Sequence, residues 1–130
     1  MISTTLVFIA ILALLQIPMT IAVGLKRLRT DIHFMDGGNE DLMWRMRAHG
    51  NFTETVPIAL LAMAGAEISG TPTTLIWALG ALLVCGRLLH YGTVRRYGWA
   101  NGRAGGMAMT FLAMGGAALC ILIGTLGFFP

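Results

Sequence analysis

Ile2-Ser3-Thr4-Thr5-Leu6-Val7-Phe8-Ile9-Ala10-Ile11-Leu12-Ala13-Leu14-Leu15-Gln16-Ile17-Pro18-Met19-Thr20-Ile21-Ala22-Val23-Gly24-Leu25 decides the fold. This run carries no charge, and Ser3, Thr4, Thr5, Gln16 and Thr20 are its only polar side chains. A helix needs about 20 apolar residues to cross a bilayer core, so the run predicts a membrane span. A cleaved signal peptide would place basic residues ahead of a shorter apolar core. Here the first basic residue is Lys26, after the run, which is the pattern of a retained span.

The rest of the chain repeats the theme. It has 130 residues, 56% hydrophobic and only 12% charged. Length suits one domain, residues 1–130. Apolar segments recur at about 48–68, 73–94 and 104–128. The expected fold is all-α: an integral membrane four-helix bundle. Ser69-Gly70-Thr71-Pro72 is a tight turn that makes the second and third spans antiparallel neighbours. Thr30 to Glu40 is polar and Gly-rich, and reads as the one long loop, lying at the headgroups.

All nine basic side chains flank the first and third connections: Lys26, Arg27, Arg29, Arg45, Arg47, Arg87, Arg95, Arg96 and Arg103. The positive-inside rule makes that side cytoplasmic and both termini external, in the inner membrane if the source is bacterial. The net charge of +3 is explained by topology and gives no reason to invoke nucleic acid. Arg95 and Arg96 read as interfacial side chains whose stems lie along lipid. Cys85 and Cys120 fall inside apolar runs and read as buried small side chains. No Cys/His spacing suggests a metal site, and neither a phosphate loop nor a nucleophile elbow is present. Small residues at helix-packing spacing (Gly102 and Gly106, Ala113 and Ala117, Gly116, Cys120 and Gly124) point to close helix contacts. Four short helices make poor walls for a buried polar site, which favours an oligomer.

The second span opens on Arg47-Ala48-His49-Gly50-Asn51-Phe52-Thr53-Glu54-Thr55-Val56-Pro57. Ionisable groups at a membrane entrance are costly, and function is the default reading. Arg47, Asn51 and Glu54 fall within about a 60° sector of one helix face and span about 10 Å along the axis. His49 lies opposite, as a structural hydrogen-bonding group. The third span carries a second set, Arg87, His90 and Tyr91, near the same end. Arg27 closes the first span and Arg103 opens the fourth. A matching ligand is anionic, with carboxylates for the arginines and an ammonium for Glu54. A cation beside a bound thiol would favour the thiolate. The bland alternative is an ion pair of Glu54 with Arg47 or Arg87, yet buried pairs add little stability once desolvation is counted.

Arg47-Ala48-His49-Gly50-Asn51-Phe52-Thr53-Glu54, with Pro57 following, resembles the second-helix signature Arg-Ala-His-x-Asn-x-x-Glu of the MAPEG family, the membrane-associated proteins in eicosanoid and glutathione metabolism. Gly86-Arg87-Leu88-Leu89-His90 looks like the family's third-helix motif, and Arg103 stands where the family has an arginine opening the fourth helix. The loop Asp36-Gly37-Gly38-Asn39 is similar to bacterial members. The resemblance implies a homotrimer with glutathione as co-substrate, held between neighbouring subunits near the cytoplasmic face. It implies that Arg27, Arg47, Asn51, Glu54 and His90 bind the peptide, and Arg87 and Tyr91 of the third span join them as candidate binding residues. Glu54 would accept the γ-glutamyl ammonium, and Arg103 would be catalytic, stabilising the thiolate. That thiolate would attack a lipophilic electrophile from the bilayer or reduce a hydroperoxide.

Four positions depart from the pattern. Gly50 replaces an arginine that often follows the motif's histidine. Val94 stands where several eicosanoid enzymes have tyrosine. Ala104 and Met107 stand where prostaglandin-synthase members have serine and tyrosine. These departures argue against a dedicated eicosanoid synthase. They also keep an alternative in play: a non-catalytic membrane protein of the same fold, holding a lipid or another anionic ligand at the polar site.

Overall fold

The computed structural model describes residues 2–128; Met1, Phe129 and Pro130, at the ends of the expected domain, lie outside them. Four helices run in order: α1 (Thr4–Thr30), α2 (Glu40–Ile68), α3 (Thr73–Tyr97) and α4 (Asn101–Thr125). The all-α bundle read from the sequence is what forms. α2 and α3 are central, and each packs on all the other helices, whereas α1 and α4 do not meet among the described residues.

The core is assembled from one stripe of each helix. Phe8, Leu12 and Met19 of α1 meet Phe52, Val56 and Met63 of α2, Ile76 and Leu83 of α3, and Ala113 and Ala117 of α4. The outside is equally apolar: Leu14, Leu61, Leu112 and Leu119 are all at least 60% exposed. An apolar surface around an apolar core is a surface for lipid, not water. α1, α3 and α4 are each long and apolar enough to cross a membrane. α2 is longer, at 29 residues, but Glu54, Glu67 and the arginines of its first turns dilute its hydropathy. It lies along the other three as a full member of the bundle.

Helix boundaries differ from the apolar segments for a simple reason. Hydropathy marks what lipid surrounds, not where hydrogen bonding starts. α2 begins at Glu40, where Asn39 caps it by accepting from the Leu42 N–H at 3.0 Å. Glu40 and Asp41 then complement the positive helix terminus. The polar signature therefore lies well inside a helix, and the loop shrinks to residues 31–39. At the far end Glu67 of α2 caps α1. Its carboxylate accepts from the backbone N–H groups of Ser3, Thr4 and Thr5 at 2.8–2.9 Å.

Small residues on α4 are spent within the subunit. A β-carbon at Gly106 would lie 2.6 Å from the Gly86 carbonyl oxygen and 2.7 Å from His90. Gly102 abuts Thr93 and Gly124 abuts Ser69, and Ala113 and Ala117 are fully buried. This spacing serves the packing of α4 on its own chain, the close helix contacts expected of it. Cys120 is buried as expected. Cys85 is instead exposed on α3, and neither cysteine is in a disulfide.

Candidate functional site

At the end of the bundle where α1 ends and α4 begins, a cleft of about 410 Å³ opens between α2, α3 and the start of α4. α2 contributes Trp44, Arg47 and Asn51, spaced three and four residues apart, with Met43 one turn before Arg47, so one face of the helix lines the cleft. α3 contributes His90, Val94 and Tyr97; Trp99 and Arg103 close the far side. Gly98 ends α3 with φ +65°, and a β-carbon there would lie 2.5 Å from the Trp44 ring. Glycine thus lets the α3–α4 connection close down on the indole.

Four of the expected site residues, Arg47, Asn51, His90 and Arg103, meet in this cleft. Arg87 lies beneath it, 2% exposed. Its Nη1 donates to Asn51 Oδ1 at 2.8 Å and to Thr55 Oγ1 at 3.2 Å. Its Nη2 donates to the Gly106 carbonyl oxygen at 3.3 Å and contacts Met107 Sδ at 3.4 Å. Arg87 therefore braces α2, α3 and α4 below the cleft. Because the Asn51 oxygen is committed to Arg87, its amide NH₂ is the group left to face a ligand.

The remaining expected residues lie elsewhere in the chain. Glu54 is exposed, one turn beyond the cleft lining, and pairs with neither Arg47 nor Arg87. Tyr91 follows His90 by one residue, about 100° around the helix, and faces a smaller apolar cleft with Leu15, Met19 and Phe52. Arg27 is turned to the first loop, where its Nη1 donates to the carbonyl oxygens of Ile32, His33 and Met35 at 2.9–3.1 Å. His49 does take the structural part expected of it, 3.0 Å from Thr20 Oγ1.

Arg103 stands between two clefts. Its guanidinium stacks on Trp99, 4.5 Å from the ring centroid, a cation–π contact that fixes a mobile side chain. On the other side of that pair a second cleft, of about 260 Å³, is lined by Ala100, Asn101, Ala104 and Met107. Trp99 and Arg103 belong to both linings. Trp99, Tyr97 and Met43 were not anticipated from sequence; aromatic residues at helix ends carry the same signal as ordinary interfacial anchors.

A charge cluster borders this region. Asp41 of α2 lies 3.0 Å from Lys26 Nζ, 3.2 Å from Arg45 Nε and 2.9 Å from Arg95 Nη1. Burial alone would raise the Asp41 carboxyl. The hydrogen bonds from Arg95, Lys26 and Arg45 outweigh it and hold the group well below the usual carboxylate range. Arg95 is thus a partner in an ion-pair network tying α1, α2 and α3 together, not only an interfacial anchor.

The motif on α2, the helix order and the arginine opening α4 agree with a match to the model of the MAPEG family over residues 5–123. The chain belongs to the MAPEG family. It is similar to the inner membrane protein YecN of Escherichia coli strain K12, with 32% identity over 120 residues, 91% of this chain and 86% of the relative. The YecN of E. coli O6:H1 matches to the same extent. No solved structure matches. This MAPEG protein is thus an integral membrane protein, with a bacterial inner membrane protein among its relatives.

Proposed function

We propose that this MAPEG protein is a glutathione-dependent transferase acting on lipophilic electrophiles, with hydroperoxide reduction as a related activity. The observation that carries the reading is the convergence of Arg47, Asn51, His90 and Arg103 on one cleft at a helix-bundle end. Two guanidinium groups, an imidazole and an outward amide suit a peptide bearing two carboxylates. Arg103 is the catalytic residue in this scheme. Its positive charge favours loss of the thiol proton, and the resulting thiolate attacks the electrophilic carbon as the leaving group departs with its electron pair. The second cleft shares Trp99 and Arg103, and in this scheme it seats the electrophile beside the thiolate. Arg87 is a positioning residue acting through Asn51.

Glu54, Arg27 and Tyr91 do not reach this cleft within one chain. Their part in the scheme belongs to the homotrimer, in which the ligand lies between neighbouring subunits and an exposed Glu54 is available to its ammonium. The basic ends of the helices, and the cleft with them, face the cytoplasm by the positive-inside rule. Calorimetric titration of the detergent-purified protein with glutathione, paired with conjugation of a chlorodinitrobenzene-type electrophile, tests the reading. Absence of binding at millimolar glutathione would overturn it.

The position of Glu54, together with Gly50, Val94, Ala104 and Met107, supports a second reading. The same cleft would hold a lipid headgroup or another anion without catalysis. Under that reading Arg47→Ala lowers lipid retention, and thiol conjugation is absent in both the variant and the parent protein.

A further inference from the structure

On the opposite side of α2 from the cleft, a groove of about 270 Å³ runs along the outer face of α1. Its floor is apolar, built from Pro18, Ile21 and Leu25, and its mouth is formed by Lys26, Arg29 and Arg45. Pro18, Ile21, Leu25 and Arg29 follow one another at three- and four-residue spacing, so a single stripe of α1 passes from hydrocarbon-like to cationic. Ile21 and Leu25 are each about half exposed (53% and 48%). Arg45 reaches across to α1, its Nη1 3.4 Å from the Ala22 carbonyl oxygen, and closes one wall.

The charge at the mouth is unbalanced. One carboxylate, Asp41, serves Lys26, Arg45 and Arg95 together. Arg29 is exposed and has no hydrogen-bond or ion-pair partner among the described residues. The surplus positive charge therefore lies where the apolar stripe ends, at the level of the bilayer interface. From this we infer that the groove holds an anionic phospholipid of the surrounding membrane. The phosphate would be met by Arg29 and the outward donors of Lys26 and Arg45, with an acyl chain along Pro18, Ile21 and Leu25. Charge complementarity selects the occupant, because an apolar groove alone would accept any chain, whereas cations at headgroup depth favour anionic lipid.

The full-length protein in detergent is mixed with phosphatidylglycerol or phosphatidylcholine of identical acyl chains, and retained lipid is counted by native mass spectrometry. Phosphatidylglycerol should be retained at least about fivefold better. Arg29→Gln, which breaks no observed contact, should cut that retention about fivefold, the effect of one interfacial cation, and lower phosphatidylcholine less, because its choline cation offsets the phosphate. Ile21→Trp, which fills the groove, should reduce both lipids. Arg96→Gln, a basic residue outside the groove, should change neither. Equal retention of the two lipids would overturn the inference. So would equal losses in Arg29→Gln and Arg96→Gln, which would mean diffuse charge, or displacement by millimolar inorganic phosphate, which would mean a free-anion site.

Discussion

Asn51 of α2 and Arg87 of α3 are joined by a 2.8 Å hydrogen bond, from Nη1 to Oδ1, beneath the cleft floor. The bond fixes which end of the amide a ligand meets, and it gives a buried cation one of its few acceptors. Asn51→Ala removes it and leaves Arg87 with weaker partners. A hydrogen bond to a charged group contributes about 1.5–3 kcal/mol. The variant should lose that much stability in thermal or denaturant unfolding in detergent, and should also bind glutathione less tightly. Asn51→Leu, equal in burial but without the acceptor, should behave in the same way.

Arg103 lies at the junction of the two clefts, and that position separates its part from that of Trp99. Arg103→Ala should lower the rate of thiol conjugation by at least about 100-fold, the scale of losing one charge-stabilising donor, with little change in melting temperature. Trp99→Ala removes the surface on which the guanidinium rests, so it should lower the rate less and alter selectivity among electrophiles of different size. Steady-state kinetics with a chlorodinitrobenzene and a bulkier apolar electrophile check both. Equal losses with both electrophiles in Trp99→Ala would place the indole outside the electrophile's path.

Asp41 makes stability depend on acid. Its carboxyl is held below its ordinary value in the folded protein, so the folded state favours the charged form. That stabilisation is complete above the ordinary aspartate range near pH 4 and fades as pH falls below it. The side chain is 38% exposed, so solvent screening keeps the contribution small, on the order of 1 kcal/mol. Asp41→Asn should lower the melting temperature at pH 7 and flatten its fall as pH drops below about 4. Unfolding curves of the two proteins across that range check the sign.

The sequence made much of the fold and part of the cleft lining legible, for identifiable reasons. Long uncharged runs mark helices in lipid, and helical periodicity places Arg47 and Asn51 on one face without any tertiary information. His90 and Arg103 follow from their positions near helix ends at the same membrane face. Tyr91 lines a different cleft of the chain because a single residue step turns a helix by about 100°. For Arg27, sequence shows a cation at the interface but not the loop carbonyls that hold it away from the cleft. The Asp41 cluster joins residues 54 positions apart in the case of Arg95. Glu67 and the start of α1 are separated by 62–64 positions. Pairings at such separations leave no local pattern to read.

The Glu67 cap is testable in isolation from the site. Its two carboxylate oxygens accept from Ser3, Thr4 and Thr5 N–H groups that have no partner within the helix. Glu67→Ala should cost about 1–2 kcal/mol, as loss of an N-terminal cap does, and should speed hydrogen exchange of the first amides of α1. Glu67→Gln keeps one acceptor and should retain part of the protection. Thiol conjugation should be unchanged in both, because the cap lies at the other end of the bundle.

Trp44 and Gly98 supply an optical test of the cleft. The Trp44 ring lines the cleft and is pressed by the Gly98 backbone. Trp77 lies at the far end against Phe8, with ring centroids 5.2 Å apart. Trp77→Phe therefore leaves only Trp44 and Trp99 to fluoresce, and both line the cleft. Glutathione should change the emission of this variant in a saturable way. Gly98→Ala adds a β-carbon where φ is +65° and where the indole already stands, so both backbone strain and a clash oppose it. It should destabilise the protein by at least about 1 kcal/mol and weaken the fluorescence response by moving Trp44 into the cleft. A normal titration in the Gly98→Ala protein would mean that the ligand does not contact this wall.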